Sequence, residues 1–116
     1  MIAVIFEVVP DPNQKDTYLA SAATMKPFYE NIDGFISVER FESLTQPGKL
    51  LSLSFWRDEA ALAEWRNTMQ HRAMQTKGRE LYFEDYRLRV SEVIRDYGMH
   101  ERAEVPEDSR DHFSGS

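Results

Sequence analysis

The sequence predicts an α+β domain of the ferredoxin-like, split βαβ type: a four-stranded antiparallel sheet with helices on one face. Three observations predict it. Apolar residues recur alternately at a period of two and of 3.6, in the order β-α-β-β-α-β. A Pro47-Gly48 turn joins the middle two strands with no room for a helix between them. The first and third strands are apolar on both sides, more than one layer of helices can cover, so two copies are expected to close sheet to sheet as a homodimer.

The opening stretch IAVIFEVVP is rich in β-branched residues and ends at Pro10, with Asp11 and Pro12 as turn punctuation. It reads as a strand over residues 2–9, with Ile2, Val4, Phe6 and Val8 on one face and Ala3, Ile5 and Val9 on the other. From Asn13 to Asn31, Tyr18, Leu19, Ala22, Ala23 and Met25 follow helical spacing; Pro27 only opens or kinks a helical turn, so the helix breaks near it. Gly34 marks the turn into a second strand, where Phe35, Ser37, Glu39 and Phe41 alternate with Ile36, Val38, Arg40 and Glu42. The third strand is LLSLSFW. Asp58 caps the next helix, with Glu59 favourable in its first turn. That helix is expected to end near Thr68, and a second segment to run from Gln70 to Lys77 and stop at Gly78. The aromatic link LYFEDY leads into YRLRVSEVI, where Tyr86, Leu88 and Val90 face one way and Arg87, Arg89 and Ser91 the other. Residues 1–96 thus form one domain. Residues 97–116 are a polar, acidic extension without periodicity, of a composition that favours disorder.

Composition narrows the function classes. A chain of 116 residues has the size of one domain. Its 14 Lys and Arg against 20 Asp and Glu leave a formal charge of −6, which offers phosphates no basic field, so nucleic acid is not an expected partner. There is no cysteine, which excludes disulfides, thiolate nucleophiles, iron–sulfur clusters and Cys-ligated zinc. The longest apolar run falls far short of the roughly 20 residues of a membrane span. The expectation is a cytoplasmic protein without a membrane segment.

The stretch DGFISVERFESLTQPGKLLSLSFWRDEAALAEWRNTMQHRAMQTKGRELYFEDYRLRV resembles the antibiotic biosynthesis monooxygenase family of the dimeric α+β barrel superfamily, in a match running from Ile2 to about Ile94. The parts that carry it are the GF opening the second strand, the SFWRDEAALAEWR junction and the HR following Trp65. DYGMHERAEVPEDSR resembles the extended tail of an uncharacterised bacterial subgroup of that family. The resemblance implies oxidation of a quinol- or anthrone-like aromatic by O2 with no flavin, metal or other cofactor, in a pocket between sheet and helices. Such a reaction needs a base, donors for a developing oxyanion and a dry, apolar pocket.

Against those needs the residues read as follows. Leu62, Trp65 and Met69 form the apolar stripe of an amphipathic helix, so Trp65 is a core anchor that doubles as pocket wall. Glu64, Asn67 and His71 share a face if the helix is continuous; a break near Met69 would separate them. His71 is the expected base, since His100 and His112 sit in the tail. Asn67 and Tyr82 are the expected oxyanion donors, with Tyr86 and Arg87 in substrate binding, although such arginines often pair with acids such as Glu39 and Glu42. Two alternatives stay open. One is a non-catalytic dimeric protein that binds an apolar or aromatic small molecule or serves in stress. The other is a haem-degrading monooxygenase, which the family resemblance disfavours because the first strand lacks Asn and the expected ligand position holds Gln75.

Overall fold

In a computed structural model of the chain, which describes residues 1–110, the elements are β1 (Ile2–Pro10), α1 (Lys15–Ala23), α2 (Lys26–Glu30), β2 (Phe35–Glu42), β3 (Leu50–Trp56), α3 (Glu59–Arg66), α4 (Met69–Lys77), a π-helical turn (Gly78–Tyr82), β4 (Phe83–Glu92) and α5 (Glu107–Arg110). The sheet is antiparallel throughout, in the order β2-β3-β1-β4. This is the ferredoxin-like α+β arrangement that the element order predicts.

Directly paired residues share a face of the sheet. On one face Ile2, Val4, Phe6 and Val8 of β1 stand beside Trp56, Ser54, Ser52 and Leu50 of β3 and beside Val90, Leu88 and Tyr86 of β4. The helices lie on this face. Ile2, Val4 and Trp56 pack with Tyr29 of α2 and with Ala61, Leu62 and Trp65 of α3. Val8 and Leu50 pack with Tyr18 and Ala22 of α1, with Tyr82, and with Met74 of α4. The core is therefore two clusters, separated along the strands by the row that holds Phe6 and Ser52. On the second face Ile5, Leu51, Leu53 and Phe55 are only half-buried, and Glu7 there binds Arg89 at 2.6 Å and Lys49 at 3.2 Å. These two cations, Arg89 first, hold the Glu7 carboxyl below the usual carboxylate range.

Local chemistry sets the boundaries. Asp58 caps α3 by accepting from the Ala61 amide at 2.9 Å. Gly34 has φ +96°, and a side chain there would come within 2.8 Å of the Ala61 Cβ, so the turn into β2 needs glycine twice over. Ile36 is an extra residue in the β2–β3 ladder, which brings Phe35 onto the same face as Val38 instead of the face of Ser37. Gly78 is not the expected stop. It keeps right-handed helical dihedrals and leads into the π turn, and it is small because the Phe83 ring occupies the place of a Cβ. Strand β4 accordingly starts at Phe83, earlier than the alternation suggests.

The extension departs from its composition over residues 97–110. The Gly98 amide donates to the Glu101 carbonyl at 2.8 Å, Arg102 lies over the Tyr97 ring, and Val105 is 4% exposed. A cation over an aromatic face and one buried side chain give this segment local order. Residues 111–116, His112 among them, lie outside the described residues.

Candidate functional site

The helix that carries Trp65, Asn67 and His71 is broken between α3 and α4, and the break decides what each residue does. Thr68 adopts an extended backbone and caps α4, accepting from the His71 amide at 3.1 Å while donating to the Trp65 carbonyl at 2.9 Å. His71 thus begins a new helix and folds back on the old one. Its ring lies against Trp65, centroids 5.2 Å apart, and Nδ1 is 3.1 Å from the Arg66 carbonyl oxygen. A carbonyl only accepts, so Nδ1 carries the proton and the neutral ring presents an unprotonated Nε2. Burial pushes the imidazole pKa below 6.5, the nearby Arg72 and Arg66 charges push the same way, and the Arg66 carbonyl opposes them. The ring is accordingly held in the form a base requires.

Trp65 is buried and meets Tyr29 edge-on at 5.5 Å, as a core anchor should. Asn67 is exposed and occupied at both ends: its amide nitrogen donates to the Ala63 carbonyl at 2.8 Å and its oxygen accepts from Arg72 at 2.8 Å. It is the C-cap of α3, and the break separates it and the exposed Glu64 from the imidazole nitrogens.

Tyr82, at the end of the π turn, is buried with its hydroxyl 3.2 Å from the Ser21 Oγ. Tyr86 belongs to an aromatic group with Phe6 at 5.8 Å and Phe83 at 6.1 Å, and Phe83 meets Tyr18 at 5.0 Å. Arg87 is not with them. It pairs with Glu7 in the ladder and so stands on the second face, across the sheet from His71 and Tyr86. Arg89 on that face is bound by Glu7 rather than by Glu39 or Glu42.

Within α4 the partly buried positions are Gln70, His71 and Met74, and of these His71 and Met74 share a helical face with the buried Gly78 that follows. His71 touches the first core cluster through Trp65 and Met74 the second, so α4 bridges the row between them. Beyond the helices this face of β4 is uncovered: Tyr86 is 44%, Leu88 53% and Val90 44% exposed. Two hollows adjoin β4. One of about 360 Å³ is lined by Met1, Arg57, Asp58 and Val90 among others, and one of about 180 Å³ by Arg79 and Phe83 to Tyr86. Neither is lined by His71 or Tyr82, because Tyr18, Tyr82 and Phe83 fill the space between sheet and helices that the family resemblance assigns to the pocket. Among the described residues no three His, Asp or Glu stand close enough to hold a metal ion, and no helix is long and apolar enough to cross a membrane.

Sequence reasoning passed over Arg40. The register places it on the helix face opposite Ser52, where its guanidinium lies beside the Tyr18 hydroxyl. A charged residue in phase with Val38 was the available signal.

Residues 1–77 match the model of the family described as antibiotic biosynthesis monooxygenase. A jasmonate monooxygenase from Pyricularia oryzae is 55% identical over 80% of this chain, which spans 43% of that protein's length. The uncharacterised protein YqjZ of Bacillus subtilis is 32% identical over 80% of this chain and 79% of its own. Among solved structures, Rv0793 from Mycobacterium tuberculosis superposes with a TM-score of 0.74 at 23% identity, over 84% of this chain and 98% of that one.

Proposed function

The chain belongs to the antibiotic biosynthesis monooxygenase family, and from that premise we propose that it is a cofactor-independent monooxygenase that oxidises a quinol- or anthrone-like aromatic with O2, with His71 as its base. The observation that carries the assignment of His71 is the Nδ1 contact to the Arg66 carbonyl, which leaves Nε2 free on a ring whose pKa burial lowers.

The reaction balances without a cofactor. Nε2 takes the acidic proton of the substrate, and the resulting carbanion or phenolate passes one electron to O2. The two radicals combine to a peroxide at carbon. Loss of water from it leaves the new carbonyl, so one oxygen atom enters the product and the other leaves as water. All four electrons that O2 accepts come from the substrate, two with the oxygen kept as carbonyl and two with the oxygen that leaves as water. Tyr82 donates to the developing oxyanion once its hydroxyl turns from Ser21, and the Trp65 indole beside the His71 ring and the exposed Tyr86 on the uncovered strip of β4 offer the substrate apolar surface. Neither Asn67, which is taken up in capping, nor Arg87, across the sheet, has a role in this scheme within one protomer. The half-buried second face supports a sheet-to-sheet homodimer.

One observation favours a second reading, a non-catalytic dimer that binds an apolar ligand: neither hollow beside β4 is lined by His71. Oxygen uptake by purified, metal-free protein on a panel of anthrones, quinols and jasmonic acid separates the two. Turnover on any of them that falls in His71→Ala supports the oxygenase, and no turnover beside measurable binding supports the second reading.

A further inference from the structure

The second face of the sheet is charged at its two edges and mostly apolar between them. One row across it runs from Glu39 of β2 through Leu53 and Ile5 to Arg89 of β4, and the next from Phe41 through Leu51 and Glu7 to Arg87. Glu7 is taken up by Arg89 at 2.6 Å and Lys49 at 3.2 Å, so Arg87, opposite Glu7 in the ladder, is left over. Among the described residues neither Arg87 nor Glu39 forms an ion pair within the chain, and both are exposed. Three strand spacings of about 4.8 Å place them about 14 Å apart, beyond each other's reach on one sheet. Asp85, also on the β4 edge, lies beyond these rows, and its carboxylate accepts from the Tyr86 amide at 2.9 Å.

Such a face stacks on a second copy of itself about a two-fold axis in one of two ways. With the axis across the strands, each edge lies over its own counterpart: Arg87 and Arg89 of both copies gather at one edge and both Glu39 side chains at the other. Like charges brought together in this way oppose that arrangement. With the axis along the strands, β2 of each copy lies over β4 of the other, and each Glu39 meets an arginine edge. Packed sheets lie about 10 Å apart, a gap that a glutamate and an arginine span when they reach toward each other. This second arrangement also sets every edge strand against the other copy instead of leaving its unpaired backbone in water.

We propose that two copies pack with β2 of each over β4 of the other, oriented by Glu39 of one protomer and Arg87 of the partner subunit. The inference rests on the sheet-to-sheet reading and supplies what the apolar centre lacks, because burial of Leu51, Leu53 and Ile5 is non-directional and favours both arrangements alike. It also gives Arg87 a use that the helix side of the sheet does not.

The test is a charge exchange on the full chain, read as the dimer dissociation constant by analytical ultracentrifugation at low salt. Glu39→Arg and Arg87→Glu each create a like-charge contact twice per dimer and are expected to raise that constant at least about tenfold. Glu39→Arg combined with Arg87→Glu in one chain rebuilds the pair with its sense reversed and recovers most of the loss. In the other arrangement each reversal only exchanges one like pair for another, and the combination gains nothing. Single variants that dimerise as tightly as the unaltered protein, or a double variant no tighter than the singles, overturn the proposal. Should Arg87→Glu not fold beside Glu7, Glu39→Arg decides alone, since Glu39 stands opposite Leu53 and an unweakened dimer overturns the orientation. Failures are separable. A dimer that Leu53→Glu splits and both charge reversals leave whole overturns only the orientation, whereas an unaltered protein that stays monomeric overturns the sheet-to-sheet reading as well.

Discussion

The imidazole of His71 rests on the indole of Trp65 with ring centroids 5.2 Å apart, and its Nδ1 lies 3.1 Å from the carbonyl oxygen of Arg66. One contact sets the ring's place and the other its tautomer. Together they turn a residue of a polar helix face into a base with a single unprotonated nitrogen, Nε2.

The first prediction concerns protonation. Burial lowers the folded-state pKa of His71 below 6.5, so the unfolded chain binds the proton more readily. The stability this group contributes is present above pH 6.5 and is lost as the pH falls through the folded value. An NMR titration of the ring, assigned with His71→Gln, should give a midpoint below 6.5; a midpoint above it contradicts the desolvated environment.

A second prediction separates the cap from the chemistry. Thr68→Ala removes the acceptor for the His71 amide and the donor to the Trp65 carbonyl. It should cost about 0.5–2 kcal/mol in urea unfolding, and turnover should fall because His71 loses its seat. Thr68→Ser keeps both hydrogen bonds and should restore most of each. A Ser variant as impaired as the Ala variant would show that the hydroxyl is not what matters.

The two faces of the sheet make a third, paired prediction. Leu53→Glu places a charge on the face that carries no α1–α4 packing and should convert dimer to monomer in analytical ultracentrifugation. Leu88→Glu, on the helix face, should leave the dimer whole and weaken binding of apolar ligands. If Leu88→Glu splits the dimer and Leu53→Glu does not, the interface lies on the other face.

Gly78→Ala is the fourth. The added methyl meets the Phe83 ring, which contacts Phe6, Tyr18 and Tyr86, so the aromatic group must shift. Overpacking of this kind costs about 1–3 kcal/mol. Trimming the ring as well, in Gly78→Ala with Phe83→Leu, should recover part of the loss; a double variant showing the two single losses added together would place the strain elsewhere.

Much of this was legible in the sequence, and the exceptions have physical causes. The doubly apolar β1, the Pro47-Gly48 turn and the Asp58 cap are local signals, and the sheet order and helix starts follow from them. The bulge at Ile36 was not legible, because an inserted residue leaves a plausible alternation on either side of it. Gly78 was read as a stop because glycine usually ends helices, while here its role is to make room for a ring five residues on. The site was less legible than the fold. Helical spacing placed Asn67 beside His71, but spacing does not register the Thr68 cap that divides them. Arg87 was grouped with Tyr86 although the alternation already put the two on opposite faces. Arg40 looked like an ordinary strand charge until the register placed it beside Ser52 and Tyr18.

The measurement that tests the central claim most directly is oxygen uptake by the metal-free protein on the anthrone, quinol and jasmonic acid panel, run beside a His71→Ala variant shown to be folded. The account predicts uptake above background on at least one substrate, with one oxygen atom from O2 in the product, and a fall of at least about 10²-fold in the variant. Uptake that His71→Ala leaves unchanged would remove His71 as the base, and the absence of uptake on every substrate would contradict the oxygenase reading itself.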